Sequence, residues 1–289
     1  KVYQKIISDY EELAKKVSLK KVVYFPVSAL NGDNVVEGSD KMPWHRGGNL
    51  LDYLETVNVE APANAVSNGH AHHSPGRFPV QYVVRPQSKE FHDYRGLTGQ
   101  IASGTFRKGE SVRVLPADIE TKISAIDVFE NGELREVEQA SHPMSVTIRL
   151  ENEIDVSRGD LIAPADDKPL LSQDFEANLC WMDAKPLVEG SRFWIRHTTH
   201  LTRATVKKIK YKVDIHTFEK IDNHDGSVKL AMNDIAHVYL RTAQPIAFDP
   251  YEKNRATGSL ILIDEATNVT VGALMADRAL DPENLGFTI

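Results

Sequence analysis

Four groups of residues have side chains of the kinds that chemistry uses. His70, His72 and His73 fall within four positions of one another, and imidazoles are frequent metal ligands. No cysteine or carboxylate pattern accompanies them, and ligands need a rigid supporting frame, so they are expected to sit in a polar linker. Asp166-Asp167 and the acids from Glu151 to Asp155 could supply paired carboxylates for proton transfer. They lie at the ends of strand-like runs and read as solvated loops. Lys207-Lys208-Ile209-Lys210-Tyr211-Lys212 concentrates positive charge as a nucleic-acid binder would, yet its alternation with apolar residues is that of a half-exposed strand. Ser28-Ala29-Leu30-Asn31-Gly32-Asp33-Asn34 directly follows the apolar run Val22 to Val27 and has the composition of a turn. No Ser-His-Asp or Cys-His arrangement is recognisable.

The elements that must position these groups change in texture along the chain. Residues 1–20 read as an amphipathic helix, with Val2, Ile6, Leu13 and Val17 near helical spacing. Val22 to Val27 reads as a strand. A second helix is expected from Asn49 to about Val57, with Leu50, Leu51 and Leu54 on one face. One strand and two helices cannot close a core alone, so this part is expected to be a fragment of an α/β domain. Residues 59–77, rich in Ala, Asn, Gly, His and Pro, read as a linker. From Phe78 onward come short β runs: Phe78–Arg85, Gly99–Ser103, Ser111–Leu115, Lys122–Val128, Ser145–Leu150, Arg192–His197, Thr205–Val213, Ala236–Leu240 and Leu260–Ile263. Turn signals separate them at Gly109, Gly132 and Gly226. Evenly spaced strands with almost no helical period predict antiparallel barrels, and a length of about 210 residues fits two of them.

Composition narrows the classes. The chain has 289 residues, 41% apolar and 26% charged, with 34 basic against 41 acidic side chains and a net charge of −7. That balance disfavours a general nucleic-acid binder. A single cysteine, Cys180, excludes an intrachain disulfide or a cysteine zinc site, and the simplest compartment is the reducing cytoplasm. No apolar run approaches the length of a membrane span. The chain starts at Lys1 inside a predicted helix, which leads to the expectation that it is a truncated product.

Several segments carry a family resemblance. The loop Ser28-Ala29-Leu30 after a strand resembles the guanine loop of Ras-like and translational GTPases. Met42-Pro43-Trp44-His45-Arg46-Gly47-Gly48-Asn49-Leu50-Leu51 resembles the Met-Pro-Trp-Tyr-x-Gly-x-x-Leu-Leu segment of elongation-factor-like GTPases, with His45 in the usual Tyr place. Gly99 to Val112, with Gly104 and Gly109, is similar to the second-domain signature of that superfamily. One branch is singled out by Arg77 to Pro86, Asp155-Val156-Ser157-Arg158-Gly159-Asp160, Arg196 to Thr199, Ile209 to Asp214, Asn233 to Ala236, Pro245 to Tyr251 and Asn254 to Asp264. Together these resemble the GTPase subunit of sulfate adenylyltransferase (subunit 1, CysN-type) and the related fused NodQ-like proteins, over about Ile7 to Asp277.

The resemblance implies a fold and a function. The fold would be mainly β: residues 1–58 a remnant of an α/β P-loop GTPase domain, 59–77 a linker, and 78–168 and 169–289 two antiparallel β-barrels like elongation-factor domains 2 and 3. The complete protein would couple GTP hydrolysis to formation of adenosine 5′-phosphosulfate from ATP and sulfate. It would pair with a separate adenylyltransferase subunit (subunit 2, CysD-type) and use GTP with Mg. Ser28, Ala29 and Leu30 would line the guanine, the small Ala29 letting the backbone approach the base so that an N–H donates to guanine O6. The chain has no Gly-x-x-x-x-Gly-Lys-Ser/Thr and no Asn-Lys-x-Asp, so it holds no phosphate loop. By itself it is expected to carry no catalytic residue, bind no metal or nucleotide and be inactive. The alternative implied by the same superfamily is an elongation-factor-like, tRNA-binding translation GTPase.

Overall fold

The computed structural model describes residues 2–17, 19, 21–57, 65–67, 70–72, 75–86, 94–130 and 132–280. It divides into two units, Lys1–His72 and His73–Ile289, taken here one at a time.

In the first unit, helix α1 spans Val2–Lys16 and ends on Lys15 and Lys16, whose charges suit the negative end of a helix dipole. The face it packs is not the one expected. Val2, Ile6, Leu13 and Val17 are exposed, whereas Tyr3, Ile7 and Ala14 are at least half-buried. Tyr3 packs against Trp44 in a tilted pair at 5.0 Å and donates its hydroxyl to the Tyr24 carbonyl, and Tyr10 meets Tyr24 edge-on at 5.9 Å. Tyr3 and Tyr10, seven apart, set the packed face in place of the aliphatic positions because each ring buries more area and carries a polar handle. Helix α2, Leu50–Thr56, matches the expected place, but its anchor is Tyr53 against Phe25 at 5.3 Å, with Leu51 and Leu54 exposed.

One expectation fails in this unit. Val22 to Val27 runs without a ladder partner among the described residues; only Ser28 forms a bridge, to Asp33. A strand exists only where a neighbour takes up its N–H and C=O groups, and among the described residues none lies beside this run. The stretch read as a linker contains a hairpin, β1 (Ala65–Ser67) with β2 (His70–His72), in the register Ala65↔His72. Asn68-Gly69 stands between the two strands, a pair of residues that favours two-residue hairpin turns. His73 lies outside the described residues.

The second unit holds two antiparallel barrels. The first comprises β3 (Phe78–Pro79), β4 (Tyr82–Val84), β5 (Gly96–Gln100), β6 (Thr105–Arg107), β7 (Ser111–Leu115), β8 (Ile119–Glu130), β9 (Glu133–Val137), β10 (Gln139–Ser141), β11 (Ser145–Leu150) and β12 (Leu161–Pro164). The order is β3-β12-β7-β8-β11-β5-β4, with β9 added to β8 and β10 paired to β6. Val80 and Gln81 join the two ends: Val80 N–H donates to Asp160 and Gln81 N–H to Thr98, both at 2.8 Å. Where the chain crosses, a Cβ on Gly99 would lie 2.4 Å from the Pro79 carbonyl, so only glycine fits. Phe78, Leu97, Ile101, Phe106, Val112, Ile123, Ile126, Ile148 and Ile162 fill the interior.

The second barrel comprises β13 (Leu170–Trp181), β14 (Arg192–His197), β15 (His200–Val213), β16 (Lys220–Asp222), β17 (Ile235–Phe248), the short helix α3 (Arg255–Gly258), β18 (Ser259–Ile263) and β19 (Thr270–Ala279). Six strands close in the order β14-β18-β19-β13-β17-β15 and back to β14, with β16 on the edge of β15. Along β13, Phe175, Ala177, Leu179 and Trp181 point into the core. The period-2 alternation therefore puts Glu176 and Asn178 on the outer face.

Candidate functional site

The Ser28–Asn34 loop is a small built structure. Ser28 N–H donates to the Asp33 carbonyl at 3.1 Å, and the loop turns through Gly32 and Asn34, both at positive φ. Asn34 is buried and braces its surroundings: its amide donates to the Pro26 carbonyl at 2.9 Å, and its side-chain oxygen accepts from Ser39 N–H at 2.8 Å. The Asn34 and Val35 carbonyls accept from Leu50 and Leu51, and the Asn49 side chain accepts from Asp52 N–H at 2.8 Å. Those are helix N-terminal donors that would otherwise be orphaned. The hydrogen bond from Ser39 to Asp33, with the nearby Lys41 charge, holds the Asp33 carboxyl below its usual range. Within this frame Ala29 and Leu30 are exposed, Leu30 at 95%, and neither backbone N–H meets an acceptor among the described residues.

A second constellation lies between the barrels. Arg77, 1% exposed, donates through Nε and Nη2 to the two oxygens of Asp249 at 2.8 and 2.9 Å. Its Nη1 donates to the Gly76 and Asp167 carbonyls. Thr257 Oγ1 donates to Asp249, and Asn254, the N-cap of α3, donates to Ser103 Oγ at 2.8 Å. His197 Nε2 donates to the Thr257 carbonyl at 2.7 Å. Burial lowers the His197 pKa to about 4, so the ring is neutral. Gly159, at φ +103, brings the first barrel onto His200; a Cβ there would meet His200 Nδ1 at 2.9 Å. Leu115, Leu161, Ala163 and Ala247 form the apolar part of the contact. Arg77, Gly159, His197, Asp249, Asn254 and Thr257 all come from segments that carry the family resemblance, but pattern alone assigned them no role. Asp167, a candidate acid in the sequence, here accepts from Arg77 through its carbonyl.

The third cluster is on the outer face of the second barrel. Glu176, His237 and Asp277 offer ligand atoms within 4.8 Å of one another. Glu176 is already saturated: Lys210 Nζ lies 2.7 Å from Oε1, and Arg278 Nη2 at 2.8 Å and His237 Nε2 at 3.1 Å from Oε2. Burial opposes its ionisation, but the bonds from Lys210 and His237 outweigh that and hold the carboxyl below its usual range. A divalent ion would have to share the carboxylate with two cations, so the donors do not fit a metal. The basic run at Lys207 is an outer-barrel strand, as expected, but Lys207 and Lys208 are both exposed ahead of buried Ile209 because a register shift between Val206 and Lys208 interrupts the alternation.

None of the described helices is long and apolar enough to cross a membrane. Residues 174–276 match the family model described as GTP-eEF1A C-terminal domain-like. Sulfate adenylyltransferase subunit 1 of Bacteroides thetaiotaomicron is 41% identical over 291 aligned positions, covering 99% of this chain and 57% of that protein. The bifunctional enzyme CysN/CysC of Mycobacterium tuberculosis is 39% identical over 277 positions, covering 96% and 43%. The chain thus spans about half the length of the curated relatives it matches. In fold it resembles sup35 solved with GDP, with a TM-score of 0.63 at 22% identity, over 96% of this chain and 65% of that one. Over the stretch it spans, the chain is similar to sulfate adenylyltransferase subunit 1 proteins.

Proposed function

We propose that this chain is part of the GTPase subunit of a sulfate adenylyltransferase, working in the cytoplasm beside an adenylyltransferase subunit. The partner transfers the adenylyl group of ATP to sulfate, giving adenosine 5′-phosphosulfate and pyrophosphate. That phosphate–sulfate anhydride is a high-energy product, so the step needs coupling to GTP hydrolysis. The observation that carries the reading is the 41% identity along 99% of the chain, which takes in both the Ser28 loop and the inter-barrel contact.

In this reading residues 1–58 complete the nucleotide-binding domain, and residues 78–168 and 169–289 are two barrels held as one body. Bound GTP with Mg supplies the phosphate chemistry, and the residues that hold those phosphates are not in this chain. What this chain contributes is the guanine wall. Ser28, Ala29 and Leu30 border the base, and the exposed N–H groups of Ala29 and Leu30 are the donors available to guanine O6. A methyl at position 29 leaves room for the ring.

The barrels carry the nucleotide state to the partner. Such coupling requires contacts that differ between the two states, and a rigid pair of barrels moves those contacts together. The test is capture: the protein at the full length of its gene should retain the adenylyltransferase subunit and leave aminoacyl-tRNA unshifted at moderate salt. A salt-sensitive tRNA shift without adenylyltransferase capture overturns the reading in favour of a translation factor.

A further inference from the structure

The outer face of the second barrel is layered by charge. At its base lie the carboxylates of Asp174 and Glu176, 2% and 3% exposed. Above them stand cations from three flanking strands. Lys210 of β15 and Arg278 of β19 bond to Glu176, and Arg241 of β17 is directly across from Asp174, with Nε 3.6 Å from its oxygen. Tyr239 donates its hydroxyl to Asp174 at 2.6 Å, and His237 bridges Glu176 and Asn178 while stacking on Tyr211 at 5.2 Å. The buried acids thus fix the cations in place without covering them. The side chains of Arg278, Arg241 and Lys210 remain 61%, 50% and 38% exposed. Exposed Lys208 lies across from Tyr239 on the same face.

The face also carries Asp277, 51% exposed, with its carboxylate 3.9 Å from His237 Nε2, so that Lys208, Lys210, Arg241 and Arg278 outnumber Asp174, Glu176 and Asp277 by one. In a chain of net charge −7 this is a local reversal of sign. Arginine forks already held in position lose little further freedom on binding, which favours association. Each arginine shares its charge with a buried acid, so the face suits discrete carboxylates better than a continuous phosphate backbone. We infer that this face docks an acidic protein surface, with Arg241 and Arg278 as anchors that receive the partner's carboxylates. Resting on the subunit reading above, the occupant is the adenylyltransferase subunit.

The experiment measures binding of that subunit to the full-length gene product by interferometry at two salt concentrations. Arg241→Glu with Arg278→Glu should weaken binding at least about tenfold and flatten its salt dependence. Lys229→Glu, the same charge change on an exposed loop of this barrel, should leave binding within about twofold. Because Arg278→Glu also disturbs Glu176, Arg241→Gln serves as the milder variant; Asp174 keeps Tyr239 there, and binding should weaken about threefold. Binding by the double variant and by Arg241→Gln equal to that of the unsubstituted protein overturns the surface while leaving the subunit reading intact. No capture by the unsubstituted protein overturns the subunit reading and the assigned occupant together. Salt-sensitive binding of RNA, abolished by the double reversal, overturns the inference in favour of a nucleic-acid face.

Discussion

Arg77 and Asp249, 172 residues apart in the chain, meet in a two-pronged ion pair of 2.8 and 2.9 Å, buried between the barrels. Arg77 enters on the segment leading into the first barrel, and Asp249 directly follows Phe248, the last residue of β17 in the second. A guanidinium desolvated this far is stable only because its charge and donors are met, here by four hydrogen bonds to the Asp249 carboxylate and two carbonyls, with the Asp167 carboxylate 3.6 Å away. Arg77→Ala strands the Asp249 charge and should cost about 3–5 kcal/mol by denaturant unfolding. The joint change Arg77→Met with Asp249→Leu should recover part of that loss. Equal stability of Arg77→Ala and the unsubstituted chain would contradict the latch.

His197 sets a pH dependence. Its folded pKa is about 4 against an ordinary 6.5, so between those values the unfolded chain binds a proton that the folded chain refuses. Stability is therefore full above pH 6.5 and falls as the pH drops toward 4, by about 3 kcal/mol for this group. Burial lowers the His200 pKa too, which adds in the same direction. Urea midpoints at pH 7 and pH 5 should differ, and His197→Gln should shrink the difference. An unchanged slope in that variant would show that the drop has another source.

Gly159→Ala tests the other side of the contact. At φ +103, with His200 Nδ1 2.9 Å from the new Cβ, the substitution should destabilise by about 1–3 kcal/mol. His200→Ala in the same chain should relieve the steric part but not the backbone strain. A thermal midpoint unmoved by Gly159→Ala would mean that the barrels do not approach there.

The Ser28 loop yields two expectations. Asn34→Ala removes the bond to Pro26 and the acceptor for Ser39, and should loosen the loop by about 1–3 kcal/mol of local stability, read by amide exchange at Leu50 and Leu51. In the full-length protein, Ala29→Leu should weaken GTP binding in calorimetry by filling the space for the base. The chain of 289 residues alone should give no heat with GTP and magnesium, since it lacks a phosphate loop. Micromolar binding to this chain would refute that expectation.

The barrels were legible because strand periodicity and turn residues are local. Ser111–Leu115, Ser145–Leu150 and Arg192–His197 stand where alternation put them. The long strands Leu170–Trp181 and Thr270–Ala279 were missed because their outer faces carry buried polar residues such as Glu176 and apolar ones such as Met275, which blur the period. Val22 to Val27 has strand composition but no neighbour to pair with among the described residues, a tertiary fact that no local pattern contains. The latch was invisible for the same reason. Arg77, His197, Asp249 and Thr257 lie in recognisable segments, yet only the closed barrels bring them together.

The proposal that this chain is part of a GTPase coupling GTP hydrolysis to sulfate activation is tested most directly by product formation. The full-length subunit and its adenylyltransferase partner are mixed with ATP and sulfate, and adenosine 5′-phosphosulfate is measured with GTP and with a non-hydrolysable analogue. Product should rise with GTP, in step with phosphate release, and stay low with the analogue. Equal product in both conditions would contradict the account.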